Sequence, residues 1–276
     1  MSAAVRSPAP VTGKPPSLGP RPRWVPSAET VRVFVLRVAL IVVLLAIWQY
    51  FGSRSTHNLF FYSKPSAIWT SLRHLLVSSA FYTDLRYTMT ETVLGFVIGG
   101  GLGIVAGFGL AFSRTAYRAV DPIMNALNAL PRIALSSLFI LWFGLGVESK
   151  VVLVTSLVFF PLFLNAYKGA TTVDPDHTLL MHTLHASRWA YVRKVMFPST
   201  APWIITGAKL GVAAGLGGAV VGEIIAGQFG LGAALNADAQ SFATGDEFAI
   251  LLVLIAIAVV LNGIFSYFER RTSSWR

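Results

Sequence analysis

Long stretches of this chain carry no charged side chain at all, among them residues 92–112, 133–147, 151–167, 210–222 and 248–268. A helix needs about 20 mostly apolar residues to cross the ~30 Å hydrocarbon core of a bilayer, and runs of this kind fit few other surroundings. The composition agrees. Of 276 residues, 54% are hydrophobic and 12% are charged, and the mean hydropathy is +0.64. A soluble domain carries about 25% charged residues. A water-soluble enzyme, a fibrous chain and a disordered chain are excluded on this ground. A closed β-barrel is excluded too, because the runs lack alternation with a period of two. The fold expected is an all-α polytopic membrane protein.

Six spans are expected, at about 33–51, 88–112, 122–145, 151–167, 203–226 and 248–268. Asp121 and Pro122 read as an N-cap and a first helical position for the third. The tail 1–30 holds seven of the 14 prolines, buries no apolar face and is expected to be disordered and uncleaved. The first span then occupies 31–51. Segment 52–87 contains an amphipathic stretch, 65–76, suited to an interface. Segment 88–268 holds the remaining five spans and a loop at 169–202, and 269–276 closes the chain. With the N-terminus inside, fourteen basic residues fall on inner segments and five on outer ones, which places both termini in the cytoplasm. Most of the net charge of +10 is then topology, and nucleic acid is not an expected partner. Cysteine is absent, which removes disulfides, thiolate metal sites and a cysteine nucleophile.

Gly95, Gly99, Gly103 and Gly107 recur every four residues in the second span, and Gly207, Gly211 and Gly215 do so in the fifth. Small residues at this spacing let helix backbones approach closely in lipid. The run Gly101-Leu-Gly103-Ile-Val-Ala106 imitates a dinucleotide fingerprint without the strand and acidic residue that would support it. His177, His182 and His185 cluster in the inner loop, but lack the convergent ligands a zinc site needs, so no metal is expected. No phosphate-cradling P-loop occurs, so any ATPase must be a separate subunit. Residues 174–198 read as two short amphipathic helices. Asp174 and Ser187 start them, Leu179, Leu180 and Leu184 form the apolar face of the first, and Trp189, Val192 and Val195 that of the second. Pro198 is read as the stop. Three ionisable residues fall at membrane depth: Glu91, Arg132 and Glu223. Such groups face a bundle interior, pair, or mark a pathway. Glu223, after a glycine-rich segment, is expected to point at a gate or a second copy.

This loop is similar to one found in the permease subunits of bacterial ABC importers, the binding-protein-dependent inner-membrane components. Their pattern E-A-A-x-x-x-G, nine residues, then I-x-L-P matches in spacing Leu179-Leu180-Met181, His185 and Val195-Met196-Phe197-Pro198. Ala186-Ser187-Arg188-Trp189 is typical, while Leu179 stands where the family has Glu and His185 where it has Gly. The third-span run from Asn128 through Arg132 to Trp142 and Gly146, and Val220-Val-Gly-Glu223 followed by Gly230-Leu-Gly232, resemble the nitrate/sulfonate/taurine-type branch. The resemblance implies a type I importer fold with two permease copies, two ATPase subunits on the inner loops and an external binding protein. It implies an inner-membrane location, no cofactor held by this chain, and ATP with Mg used by the partner ATPase. Arg132, Trp142, Glu91 and Glu223 become candidate path residues, and Leu179, Leu180, His185, Ala186, Ser187, Arg188, Trp189 and Pro198 the coupling loop. A small anion or organic solute such as sulfonate, taurine or nitrate is the expected cargo. A secondary transporter, or an aromatic or pyrimidine-like cargo, is the alternative.

Overall fold

The computed structural model describes residues 28–273; nearly all of the proline-rich tail and the last three residues, with the expectations placed on them, lie outside the described residues. Every described element is helical. In chain order these are α1 (Ala28–Ser53), α2 (Thr56–Tyr62), α3 (Pro65–Val77), α4 (Ser79–Ala111), α5 (Arg114–Ala129), α6 (Ser136–Phe143), α7 (Val147–Thr171), α8 (Pro175–Thr183), α9 (Arg188–Tyr191), α10 (Phe197–Ala226), α11 (Leu231–Gln240) and α12 (Thr244–Ser273). Helices α1, α4, α7, α10 and α12 are long and apolar enough to cross a membrane, and α5 with α6 forms a sixth candidate bent by 79°. The chain divides into two units, one ending at Ile47 and one starting at Trp48. In the first, α1 shows Phe34, Leu36, Leu40 and Leu44 with more than half of each side chain exposed. A helix apolar on every face is at home in hydrocarbon.

The second unit is organised around α7. A Cβ added at Gly99 would meet the Thr155 carbonyl oxygen at 2.5 Å, one at Gly103 the Phe159 oxygen at 2.5 Å, and one at Gly107 the Phe163 oxygen at 2.7 Å. Gly95 presses on Val154 in the same way. Both sets of numbers rise together, so α4 and α7 run parallel. On the other flank Gly207 lies against Pro161, Gly211 against Leu162 and Gly215 against Val158. Here one set falls as the other rises, so α10 is antiparallel to α7. Val154, Val158, Leu162 and Ala219 are buried between the three helices. Because α4 and α7 point the same way, the chain between them must return across the bundle, and α5–α6 is the segment that does so.

Three expectations are corrected. The third span does not start at Asp121-Pro122. Ser113 caps α5, its side chain accepting from the Ala116 N–H, and Pro122 lies inside the helix. The span also breaks, at Leu130-Pro131. A residue before proline is driven out of the α region, and Leu130 is extended at φ −63°, ψ 135°, after which a 3-10 turn (Arg132–Leu135) leads into α6. Pro198 does not stop a helix: a π-type stretch, Val192–Met196, carries α9 into α10, with Pro198 in the first turn of α10. The Phe197 N–H reaches back to the Val192 carbonyl, and the wider π turn lets the helical path continue through a residue that has no N–H to donate.

The ends of the spans also extend beyond the apolar runs, α4 starting at Ser79 and α7 at Val147. α3 packs on α12 with Ile68 buried. Phe81, Leu231 and Ile250 form a second core where α4, α11 and α12 meet.

Candidate functional site

A cluster of buried polar groups gathers at the end of the bundle where α10 stops. Glu223 is 1% exposed and Thr88 is fully buried. The Thr88 hydroxyl donates to Glu223 Oε1 at 2.7 Å, and the Gly232 N–H donates to Oε2 at 2.7 Å. The Leu231 N–H donates to the Thr88 oxygen at 2.8 Å, and the Gly230 N–H to Asp84 Oδ1 at 2.8 Å. The loop after α10 can fold back onto its own glutamate because Gly230 adopts φ +114° and a Cβ there would lie 2.2 Å from the carboxyl carbon. Only glycine meets both conditions. The N-terminus of α11 thereby delivers backbone N–H groups to a carboxylate, a favourable arrangement of charge and dipole.

Glu91, 2% exposed, interacts with Glu223, and its Oε2 is buried without a partner. Lys150 Nζ, buried nearby, donates to the Gly146 oxygen at 3.1 Å and the Ala226 oxygen at 3.0 Å. It interacts with both glutamates. The cluster therefore ties α4, the start of α7, the end of α10 and the α10–α11 loop together inside one chain. Glu223 does not point at a second copy, since both its oxygens are engaged here. Lys150 reads from sequence as an ordinary outer charge, and Thr88 and Asp84 carried no signal by themselves. The spacing Asp84, Thr88, Glu91, one face of a helix, is the pattern that could have revealed them.

Arg132 stands apart from this cluster, at the break in the bent span. Its Nη1 donates to the Ser156 oxygen at 3.1 Å, on α7, and its Nη2 to the Asn128 oxygen at 3.1 Å and to the Asn128 side chain. Its Cζ lies 4.1 Å from the Phe160 ring centroid. A cation here meets the free carbonyls at the end of α5 and pins that end to α7, leaving only Nε buried and unpartnered. Among the described residues no ion pair joins it to Glu91 or Glu223. Trp142 is 62% exposed on α6.

The loop residues come together at the opposite end of α10. Asp174 accepts from the Asp176 N–H at 2.9 Å and Ser187 from the Ala190 N–H at 3.2 Å, which starts α8 and α9. Between them the Ala186 N–H bonds the Met181 oxygen at 3.0 Å, while His185 sits at φ +48°. This is the six-to-one bond of a Schellman turn, whose left-handed position glycine usually fills. Thr178 and Tyr191 hydroxyls meet at 3.3 Å across the pair. Leu179, Leu180, Leu184 and Trp189 are each more than half exposed, and Arg188 and Ala186 border a cavity of about 380 Å³ with Met181 and Tyr191.

A bundle of membrane-crossing helices with one broken span is the build of a multi-pass membrane protein. The chain belongs to the family described as the inner membrane component of binding-protein-dependent transport systems, whose pattern matches residues 99–274. It is 29% identical over 235 residues to a protein named as a putative aliphatic sulfonates transport permease, SsuC, of Bacillus subtilis, covering 85% of both chains. It is 30% identical over 216 residues to the formylaminopyrimidine transport permease ThiX of Halalkalibacterium halodurans, covering 78% of this chain and 86% of that one. In fold it is similar to a chain of the inward-facing MetNI methionine ABC transporter, with a TM-score of 0.58 at 18% identity, over 73% of this chain and 97% of that one. The fold is that of type I ABC importer permeases, and the protein is a multi-pass inner-membrane permease.

Proposed function

We propose that two copies of this chain form the translocation path of an ATP-driven importer, with two separate ATPase subunits docked on the α8–α9 loop and an external binding protein delivering substrate at the other end. On this reading the loop and both termini are cytoplasmic, and ATP and Mg are used by the ATPase. The observation that carries the proposal is the loop. Its backbone is fixed by two side-chain caps and a Schellman turn, yet Leu179, Leu180, Leu184 and Trp189 are exposed. Apolar side chains on a preorganised helix pair suit a protein groove. A push on α9 would be transmitted along α10, since the helical path from Arg188 to Ala226 is continuous. At the far end of α10 Glu223 holds the α10–α11 loop and α4, so the two ends of the bundle are joined by one rod.

Trp189→Ala tests this. An aromatic anchor contributes ~2 kcal/mol or more, so the ATPase should bind about 30-fold more weakly, while the permease inserts normally. Normal co-purification of the ATPase and uptake still coupled to hydrolysis would remove the loop from the docking role.

For cargo, a small anion such as a sulfonate, taurine or nitrate is the first reading, supported by the sulfonate relative. A pyrimidine-like cargo is the second, favoured by the formylaminopyrimidine relative. Ligand binding by the external binding protein that delivers to this permease separates them.

A further inference from the structure

At the end of the bundle that carries the α8–α9 loop, three termini meet at one level: α4 ends at Ala111, α5 starts at Arg114 and α7 ends at Thr171. They enclose a cavity of about 460 Å³ lined by Ala111, Arg114, Tyr117, Arg118, Tyr167 and Thr171. Its floor is aromatic: the Tyr117 and Tyr167 rings stack with centroids 3.6 Å apart and 6° between planes. Its rim is cationic. Arg114 and Arg118, one turn apart on α5, face the same side of the helix, and both are exposed. Neither guanidinium has a hydrogen bond or ion pair among the described residues, whereas Lys168, at the end of α7, is engaged over the Trp203 ring at 4.8 Å. Asp121, the only carboxylate on α5, lies one turn beyond Arg118, where it accepts from Asn125 at 3.1 Å and interacts with Tyr117.

The position identifies the ligand chemistry. Where spans end, a bilayer presents its head groups, and Tyr and Trp gather at that depth. Tyr117, Tyr167 and Trp203 mark the level here. A guanidinium fork binds phosphate oxygens in a fixed geometry, and two forks one turn apart straddle a single phosphate. The half of α4 that leads to the cavity exposes Leu102 and Val105, and Phe112 is exposed at its cap, an apolar surface suited to acyl chains rather than to a soluble anion. We propose that the Arg114–Arg118 cavity is a binding site for the phosphodiester head group of an anionic phospholipid.

The test uses the assembled permease in nanodiscs of dioleoyl phosphatidylglycerol or dioleoyl phosphatidylcholine, with tightly bound lipid counted by mass spectrometry after transfer to detergent. The wild type should retain phosphatidylglycerol selectively. Each basic residue near the surface adds about fivefold, so Arg114→Gln with Arg118→Gln should weaken retention ~30-fold. Arg114→Lys with Arg118→Lys should keep part of it, since the charge remains while the fork is lost. Melting in phosphatidylcholine should be unchanged in both variants, because neither side chain holds the fold. Retention unaltered in the double glutamine variant overturns the proposal. So does displacement of the lipid by millimolar inorganic phosphate, which would make this a soluble-anion site. Loss of the ATPase from that variant with lipid retention intact overturns it as well, and would make the arginines a protein contact. Because ATPase binding and lipid retention are read separately, failure here leaves the loop's docking role standing.

Discussion

The α4–α7–α10 triad and the bent α5–α6 pair draw on the same apolar alphabet and end in opposite states. Against α7, seven glycines bring two helices so close that an added Cβ would strike backbone or a packed side chain. Along α5 no residue is buried, and on α6 Leu141 and Trp142 are 78% and 62% exposed. In lipid, apolarity does not drive helices together, because the solvent is apolar too; shape and polar contacts do. The triad has both: interlocking glycine rows and the Glu223 cluster. The pair has no glycine row and no buried cluster, and one chain holds it only through Arg132 and the Tyr117–Tyr167 stack. The triad is thus complete in a single copy, while the pair presents its surface to lipid or to another chain.

The sharpest test of that difference substitutes glycines on either side of α4. Gly99→Ala places a methyl 2.5 Å from the Thr155 oxygen, and Gly103→Ala repeats the clash at Phe159. Overpacking costs ~1–3 kcal/mol per site, so the double variant should melt far below the wild type in detergent, or fail to accumulate. Gly109→Ala, with nothing within 4 Å, should hold or gain up to ~1 kcal/mol from helix propensity. Equal melting of the two would erase the distinction.

A smaller effect is expected in the buried cluster. Thr88→Val removes the donor to Glu223 and leaves the Leu231 N–H without its acceptor. A buried orphan costs ~1–3 kcal/mol, read as a lower melting temperature. Trp142→Ala on the exposed pair should stay within ~0.5 kcal/mol when a single copy is melted. A larger loss for Trp142→Ala would show that α6 is packed after all.

The residues explain how far the fold was legible. Uncharged runs reveal spans because hydrocarbon tolerates nothing else, and the glycine period reveals which faces can come close. The break at Leu130-Pro131 was legible in principle from proline's effect on its predecessor, but the apolar pattern continues through it to Leu145 and masks it. The π-type route around Pro198 was not legible, since proline at a helix start and proline after a helix end look alike in sequence. Arg132 and Glu223 were legible as costly charges but not as to their partners. Those partners, Ser156 and Thr88, are distant in sequence and common in composition.

The loop offers a test of smaller size. His185 holds φ +48°, a conformation in which a side chain is strained and glycine is not. His185→Gly should therefore be tolerated and gain up to ~1 kcal/mol locally, seen as slower hydrogen exchange of the Ala186 amide. His185→Val, β-branched and ill-suited to this region, should speed that exchange and loosen the ATPase. Faster exchange in the glycine variant would mean that the imidazole itself holds the turn.

The smallest effect concerns protonation at the margin of the triad, outside the spans. Asp238, on α11, is pushed up to about 6 from an ordinary value near 4, first by burial and then by the negative charges of Asp246 and Glu247 on α12. An acid whose folded value is raised holds a proton in the folded state that the unfolded chain has already lost. Between about pH 4 and pH 6 stability therefore falls as pH rises, and it is level on either side of that window. Asp238→Asn removes the titration while keeping the shape. Relative to the variant, the wild type should lose melting temperature as pH climbs through that window and lose no more above it. Solvent screening keeps the difference below ~1 kcal/mol. Two curves that stay parallel from pH 4 to pH 8 would show that the α11–α12 corner carries no strain from these three carboxylates, and that the triad's margin is as settled as its centre.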